Sequence, residues 1–143
     1  TELKLAASAG DHWSSPEFTH IATIQCEREN TAARQCNRLL ICDTDAFATA
    51  IWHRRYLHQR SLAVEAIAAR QRRPDLYLLT DADTPFVQDG TRDGELIREW
   101  MHQTFIAELA TERRPYQLLR GSWADRFTQA VGCIDELMAP SPG

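Results

Sequence analysis

Hydrophobic residues recur at helical spacing in five stretches of the chain. They predict helices over residues 15–35, 46–57, 61–70, 97–109 and 123–137. The first and last open with capping-box spacing, Ser14 with Glu17 and Ser122 with Asp125. The apolar face of the last helix is expected to lie in the core, and it comprises Phe127, Ala130, Val131, Ile134 and Leu137.

Three shorter segments, residues 39–42, 75–80 and 116–119, are mostly apolar, and the first is a continuous apolar run. Such runs are typical of strands that are covered on both faces. Because they alternate with the helices, they predict an α/β domain with a mainly parallel sheet. Three strands are fewer than the about five of an average sheet, so we expect the sheet to be incomplete.

Composition and charge narrow the range of partners. The 143 residues hold 16 Lys plus Arg against 20 Asp plus Glu, and the net charge of −4 argues against a general nucleic-acid or anionic-membrane binder. No apolar stretch approaches the ~20 residues of a membrane span, and no segment reads as a signal peptide. We therefore expect a cytoplasmic protein with reduced, mostly buried cysteines.

Two aspartates, Asp43 and Asp45, follow the first apolar run and flank Thr44. In open parallel sheets, ligands bind beyond the carboxyl ends of the strands. An aspartate there holds magnesium, usually through water, or accepts a proton from a substrate hydroxyl. The alternative interpretation is that Asp43 or Thr44 caps the next helix.

In that next helix, Trp52 and Tyr56 lie four residues apart and therefore share one face. They are candidates for sandwiching a planar ring, and the alternative is ordinary core packing. His53 and His58 lie five residues apart, which is a poor spacing for one metal ion. We interpret both histidines as surface or partner-facing residues.

The polar stretch over residues 81–95 is the most distinctive part of the sequence, with five acids, two glycines and one arginine. A long irregular loop after a strand is usually functional and is often a lid. Arg92 offers a fork of donors to a phosphate. Alternatively, Asp89 and Gly90 form a turn, Asp93 caps a helix, and Arg92 pairs with a local acid.

In their order along the chain, these motifs resemble the ribosylnicotinamide kinase domain of NadR-type proteins, which are P-loop kinases. The resemblance covers roughly residues 1–137. It is carried by Trp13, Phe18, Ile21-Ala22, Gln25, Cys42 to Asp45, Thr49 to Trp52, Tyr56, Asp75 to Leu79, Pro85 to Arg92, Gly121 to Trp123 and Arg126-Phe127. It implies a three-layer, P-loop NTPase-like α/β fold with a mainly parallel sheet and helices on both faces.

That family transfers the γ-phosphate of Mg-ATP to the 5′-hydroxyl of nicotinamide riboside, which gives nicotinamide mononucleotide for NAD synthesis. The resemblance implies that Asp43 holds the Walker-B-like position near magnesium, with Asp45 beside it facing the substrate. It also implies that Trp52 and Tyr56 stack on the nicotinamide ring. Asp89 and Arg92 are implied to belong to the lid over the phosphates, with Arg92 counted among the catalytic residues.

The phosphate-binding motif of that family, Gly-x-x-x-x-Gly-Lys-Ser/Thr, is absent from these residues, in which Lys4 is the only lysine. We therefore expect residues 1–138 to be the C-terminal portion of a kinase domain whose first strand and P-loop precede Thr1, inactive alone, with residues 139–143 as a flexible tail. Two alternatives remain open. One is a non-catalytic regulatory or interaction module with a degenerate nucleotide-binding fold, and the other is a P-loop kinase for a different small acceptor.

Overall fold

Five helices and one pair of parallel strands make up the computed structural model, which describes residues 13–83 and 93–140. The elements are α1 (Ser15–Gln35), α2 (Ala46–Leu57), α3 (Leu62–Arg70), β1 (Tyr77–Thr80), α4 (Asp93–Thr111), β2 (Tyr116–Leu119) and α5 (Trp123–Met138). All five predicted helices and two of the three predicted strands are confirmed. Within the described ranges, each helix is too short or too polar to span a bilayer.

The chain divides into two compact units at Arg72. In the first, α1, α2 and α3 contact one another pairwise. The capping box of α1 is confirmed, since the backbone N–H of Ser14 donates to Glu17 Oε2 at 3.0 Å. Side chains from all three helices form the core of this unit, namely Phe18, Ile21, Ala22, Ala46, Phe47, Ala48, Ile51, Val64 and Ala68.

The predicted strand over residues 39–42 is wrong. These residues have no regular secondary structure, and the side chains of Leu39 and Ile41 are 38% and 69% exposed. A strand is fixed by ladder hydrogen bonds to a neighbouring strand. Because no described segment pairs with residues 39–42, nothing holds this apolar run in a sheet.

The second unit is built on a β–α–β arrangement, in which α4 connects the parallel strands β1 and β2. Their register places Thr80 beside Leu119, so both strands end at the same edge. The ladder continues one step further, because the backbone N–H of Asp81 donates to the Leu119 carbonyl at 2.8 Å. Met101, Leu109 and Leu119 are the buried hydrophobic side chains in the described part of this unit.

The last helix, α5, begins with the predicted capping box of Ser122 and Asp125. Its predicted core face is wrong, because Phe127 is 71%, Val131 40% and Leu137 45% exposed. The helix contacts β2. Two strands about 4.8 Å apart offer too narrow a surface to cover a helix of 16 residues.

Candidate functional site

The turn before α2 separates the two aspartates that the sequence singled out. Thr44 has a φ of 69°, in the left-handed region, and this reversal turns Asp45 into the N-cap position of α2. Asp45 is 7% exposed, and its Oδ1 accepts the backbone N–H of Ala48 at 2.9 Å. Asp43 is exposed. The helix cap anticipated at Asp43 or Thr44 is therefore at Asp45, and Asp43 is the carboxylate of this turn that solvent reaches.

The charge of Asp45 also acts on nearby thiols. Burial, followed by Glu29 and Asp45, raises the pKa of both Cys26 and Cys42. Cys42 is nevertheless exposed, and Cys26 is half-buried. These thiols are less buried than the sequence predicted, and at neutral pH their raised pKa favours the less nucleophilic protonated form.

An aromatic cluster occupies the junction of α1 and α2. The rings of Trp52 and Tyr56 stack on each other, with centroids 6.0 Å apart and planes 20° apart. Tyr56 also contacts Trp13 at 5.7 Å and Phe18 at 6.2 Å, and the Arg55 guanidinium lies 4.9 Å from its centroid. Neighbours therefore surround the Tyr56 ring. Trp52, which is 37% exposed, is the more exposed member of the pair and offers the larger surface to a planar ligand.

His53 belongs to this cluster and is 1% exposed, so its assignment to the surface is wrong. Its Nε2 lies 2.9 Å from Ser15 Oγ, and its Nδ1 lies 2.9 Å from the Gln59 carbonyl. A carbonyl accepts only, so Nδ1 donates to the Gln59 carbonyl, and Nε2 pairs with the serine hydroxyl. Both ring nitrogens are satisfied, and the imidazole packs against the Phe18 ring in a T-shaped arrangement, with centroids 5.2 Å apart. His53 therefore joins α1 to α2 as a buried polar link, whereas His58 is exposed.

The predicted lid residues Asp89 and Arg92 lie outside the described residues. The structure instead brings together charged side chains immediately beyond β1 and β2. Asp81 follows β1 and Arg120 follows β2, and Arg120 Nε donates to Asp81 Oδ2 at 2.6 Å. Since the two strands are parallel and in register, the residues that follow them emerge side by side at the carboxyl edge of the sheet.

A second ion pair at this edge joins Asp83 to Arg126 of α5. Asp83 Oδ2 accepts the backbone N–H of Gly121 at 2.8 Å. This backbone bond, followed by the charge of Arg126, holds the pKa of Asp83 below its usual value. Arg126 also donates through Nε to the Gly121 carbonyl at 2.9 Å and through Nη2 to the Asp81 carbonyl at 3.1 Å. The pair therefore ties the segment after β1 to the loop that opens α5.

His102 reaches the same edge from α4. Its Nε2 lies 3.1 Å from Asp81 Oδ1, and the two side chains are 10% and 18% exposed. The backbone N–H of Ala82 donates to the same carboxylate oxygen at 2.7 Å. With Arg120 on its other oxygen, the Asp81 carboxylate has partners on both sides.

Sequence reasoning missed Asp81, Arg120 and His102 as a group. One signal was available for the first two, because each is the residue directly after a correctly predicted strand, where ligands of open sheets bind. No pattern in the sequence pointed to His102, which arrives from the middle of a helix.

Magnesium is the metal that the predicted chemistry requires. In the described part of the chain, no group of three or more His, Cys, Asp or Glu side chains is placed to hold a metal ion. The exposed carboxylate of Asp43 has the oxygen donors that magnesium prefers, and this ion usually keeps several water ligands. Asp43 therefore fits a contact to magnesium through water.

Comparison with known proteins defines the family. A family model described as an AAA domain, AAA_28, matches residues 3–126. Neither a curated protein nor a solved structure gives a significant match. The matched range contains α1, both strands and the start of α5, so it includes the Asp43 turn and the charged edge beyond β1 and β2. The chain therefore belongs to this AAA domain family, which is of the P-loop NTPase type.

Proposed function

We propose that this chain is the C-terminal portion of a nucleotide-dependent kinase that phosphorylates nicotinamide riboside to nicotinamide mononucleotide. The observation that carries the proposal is the charged carboxyl edge of the parallel β1–β2 pair, in a chain of a P-loop NTPase-type family. This edge is where open α/β sheets bind their ligands. The same proposal includes a three-layer α/β fold for the whole kinase domain, with helices on both faces of the sheet, and a cytoplasmic location.

Asp43 supplies the proposed acid–base chemistry. Its carboxylate is exposed, whereas that of Asp45 is buried on the Ala48 N–H. Asp43 accepts the proton of the attacking hydroxyl, or it would hold through water a magnesium ion, which would neutralise charge on the phosphates. Asp45 acts as a positioning residue, because its hydrogen bond fixes the turn that carries Asp43.

Trp52 supplies the proposed surface for the acceptor ring. It is partly exposed, and its ring stacks on the Tyr56 ring. Offset stacking of a planar ring on an aromatic side chain contributes about 0.5–1.5 kcal/mol beyond burial. Asp89 and Arg92 keep the lid roles that the resemblance implies.

The test is phosphotransfer from Mg-ATP to nicotinamide riboside by the longest natural chain that contains these residues, with the product measured by chromatography. Acid–base catalysis contributes about 10²–10⁴-fold, so Asp43→Asn is expected to lower kcat by at least about 100-fold. Trp52→Ala is expected to raise KM for the riboside and leave KM for ATP unchanged. The matched control is Asp135→Asn, which removes an exposed acid of α5.

Three outcomes contradict the proposal at different points. Unchanged turnover of Asp43→Asn removes this residue from the mechanism. Turnover with another nucleoside, but not with nicotinamide riboside, indicates a kinase for a different acceptor. Absence of turnover with every acceptor favours a non-catalytic module.

A further inference from the structure

Two arginines at the carboxyl edge of the sheet are used differently. The Arg126 side chain is 13% exposed, and its guanidinium is occupied by the Gly121 and Asp81 carbonyls and by the Asp83 carboxylate. The Arg120 side chain is 65% exposed and contacts Asp81 through Nε. Among the described residues, no hydrogen bond uses Nη1 or Nη2 of Arg120. Arg126 is therefore a structural tie, whereas the terminal amino groups of Arg120 have no partner in the part of the chain that the structure describes.

Arg120 is held at both ends. Its backbone N–H donates to Gln129 Oε1 at 3.0 Å, and Gln129 Nε2 donates back to its carbonyl at 2.7 Å. Its Nε is fixed by Asp81, which is itself held by the Leu119 carbonyl, the Ala82 N–H and His102. A side chain positioned in advance loses less conformational freedom when a ligand binds.

The two terminal amino groups of a guanidinium lie in one plane, at the spacing of two phosphate oxygens. At the start of α5, the capping box uses two backbone donors, the N–H of Asp125 and the N–H of Ser122. The net charge is not what attracts an anion, since Asp81 and Asp83 balance the two arginines and Asp125 adds a negative charge. Selection therefore depends on directed hydrogen bonds from Arg120, which favour a group with two exposed oxygens.

We propose that Arg120 is a phosphate-binding residue, positioned by Asp81, which receives a phosphate group of the nucleotide at the carboxyl edge of β1 and β2. The inference rests on the proposed nucleotide dependence and not on the identity of the acceptor. It assigns a phosphate contact to the segment after β2, in addition to the predicted lid arginine.

The proposal is tested by calorimetric titration of the longest natural chain that contains these residues. The ligands are ATP, pyrophosphate, inorganic phosphate and adenosine, and nicotinamide riboside is left out. Arg120→Gln is expected to weaken ATP binding at least about tenfold, or about 1.4 kcal/mol, and to leave adenosine binding unchanged. Arg120→Lys keeps the charge without the planar fork and is expected to lose part of the affinity. The matched control is Arg60→Gln, because Arg60 is also exposed and also contacts a carboxylate, Glu65, through Nε at 2.9 Å.

Loss of affinity for ATP and pyrophosphate supports a nucleotide phosphate as the ligand. An equal loss for inorganic phosphate supports the same site with free phosphate as the source. The proposal is overturned if Arg120→Gln binds ATP like the unmodified chain, if Arg60→Gln loses as much affinity, or if the unmodified chain binds adenosine as tightly as ATP. A failure of phosphotransfer to nicotinamide riboside leaves this binding comparison unaffected, so the two proposals fail separately.

Discussion

Substitutions at Asp45 separate its structural role from a catalytic one. Its Oδ1 accepts the Ala48 N–H at 2.9 Å, and the side chain is 7% exposed. Asp45→Ala removes that acceptor and leaves a buried donor of the first turn without its partner. Asp45→Asn keeps an oxygen in the same place, because asparagine is about as good an N-cap as aspartate.

The magnitudes follow from these two changes. Losing the cap costs about 0.5–2 kcal/mol, and typically about 1 kcal/mol. In addition, a negative charge beside a helix N-terminus contributes about 0.3–1 kcal/mol to the free energy of unfolding. We therefore expect Asp45→Ala to lower the free energy of unfolding by about 1–2 kcal/mol. Asp45→Asn, which loses only the charge, should cost less than about 1 kcal/mol.

Urea unfolding followed by circular dichroism measures both values. Asp43→Asn is the matched control, because it removes a neighbouring carboxylate that is exposed, and it should leave the midpoint unchanged. The reasoning is refuted if Asp45→Asn destabilises the chain as much as Asp45→Ala, or if neither changes the midpoint. In the phosphotransfer assay, Asp45→Asn should retain most of the turnover that Asp43→Asn loses, since Asp45 acts by holding the turn.

Three further predictions concern stability and reactivity. Leu109 is 1% exposed, so Leu109→Ala should lower the free energy of unfolding by about 2–5 kcal/mol in thermal or urea melts. Leu137 is 45% exposed, and an equal loss in Leu137→Ala would contradict this prediction. The pKa of Asp83 is lower in the folded state. Its contribution to the free energy of unfolding is therefore complete above the unfolded pKa of about 3.9 and is lost as pH falls through the folded pKa. Asp83→Asn should reduce the fall in the free energy of unfolding over this acidic range. Burial and Glu29 raise the pKa of Cys42, so iodoacetamide should alkylate it more slowly than free cysteine at pH 8, and Glu29→Gln should accelerate the reaction.

The helices were predictable because their signals are local. Ser14 with Glu17 and Ser122 with Asp125 form capping boxes in the structure as their spacing indicates. A capping box involves residues three positions apart, so the sequence contains both partners and their separation. The same applies to the helix over residues 46–57, whose bounds are confirmed.

The errors concern burial, which depends on what lies opposite a residue. Phe127 and Val131 have the spacing of a core face, yet both are exposed, because the described sheet is too narrow to cover them. His53 has the polarity of a surface residue, yet it is buried, because Ser15 and the Gln59 carbonyl satisfy both ring nitrogens. Periodicity shows which residues share a face, but the partner of that face comes from elsewhere in the chain.

The charged edge of the sheet shows how such a non-local site becomes partly predictable. Asp81 and Arg120 lie 39 residues apart, and no short motif joins them. The sequence supports two of the three conditions for their contact, namely that β1 and β2 are parallel and that each ends one residue before a charged side chain. The third condition is the register of the strands, which the sequence does not give. A shift of the strands by one residue would carry Asp81 away from Arg120. The bond from the Asp81 N–H to the Leu119 carbonyl fixes this register, and the pairing of Asp81 with Arg120 is a consequence of it.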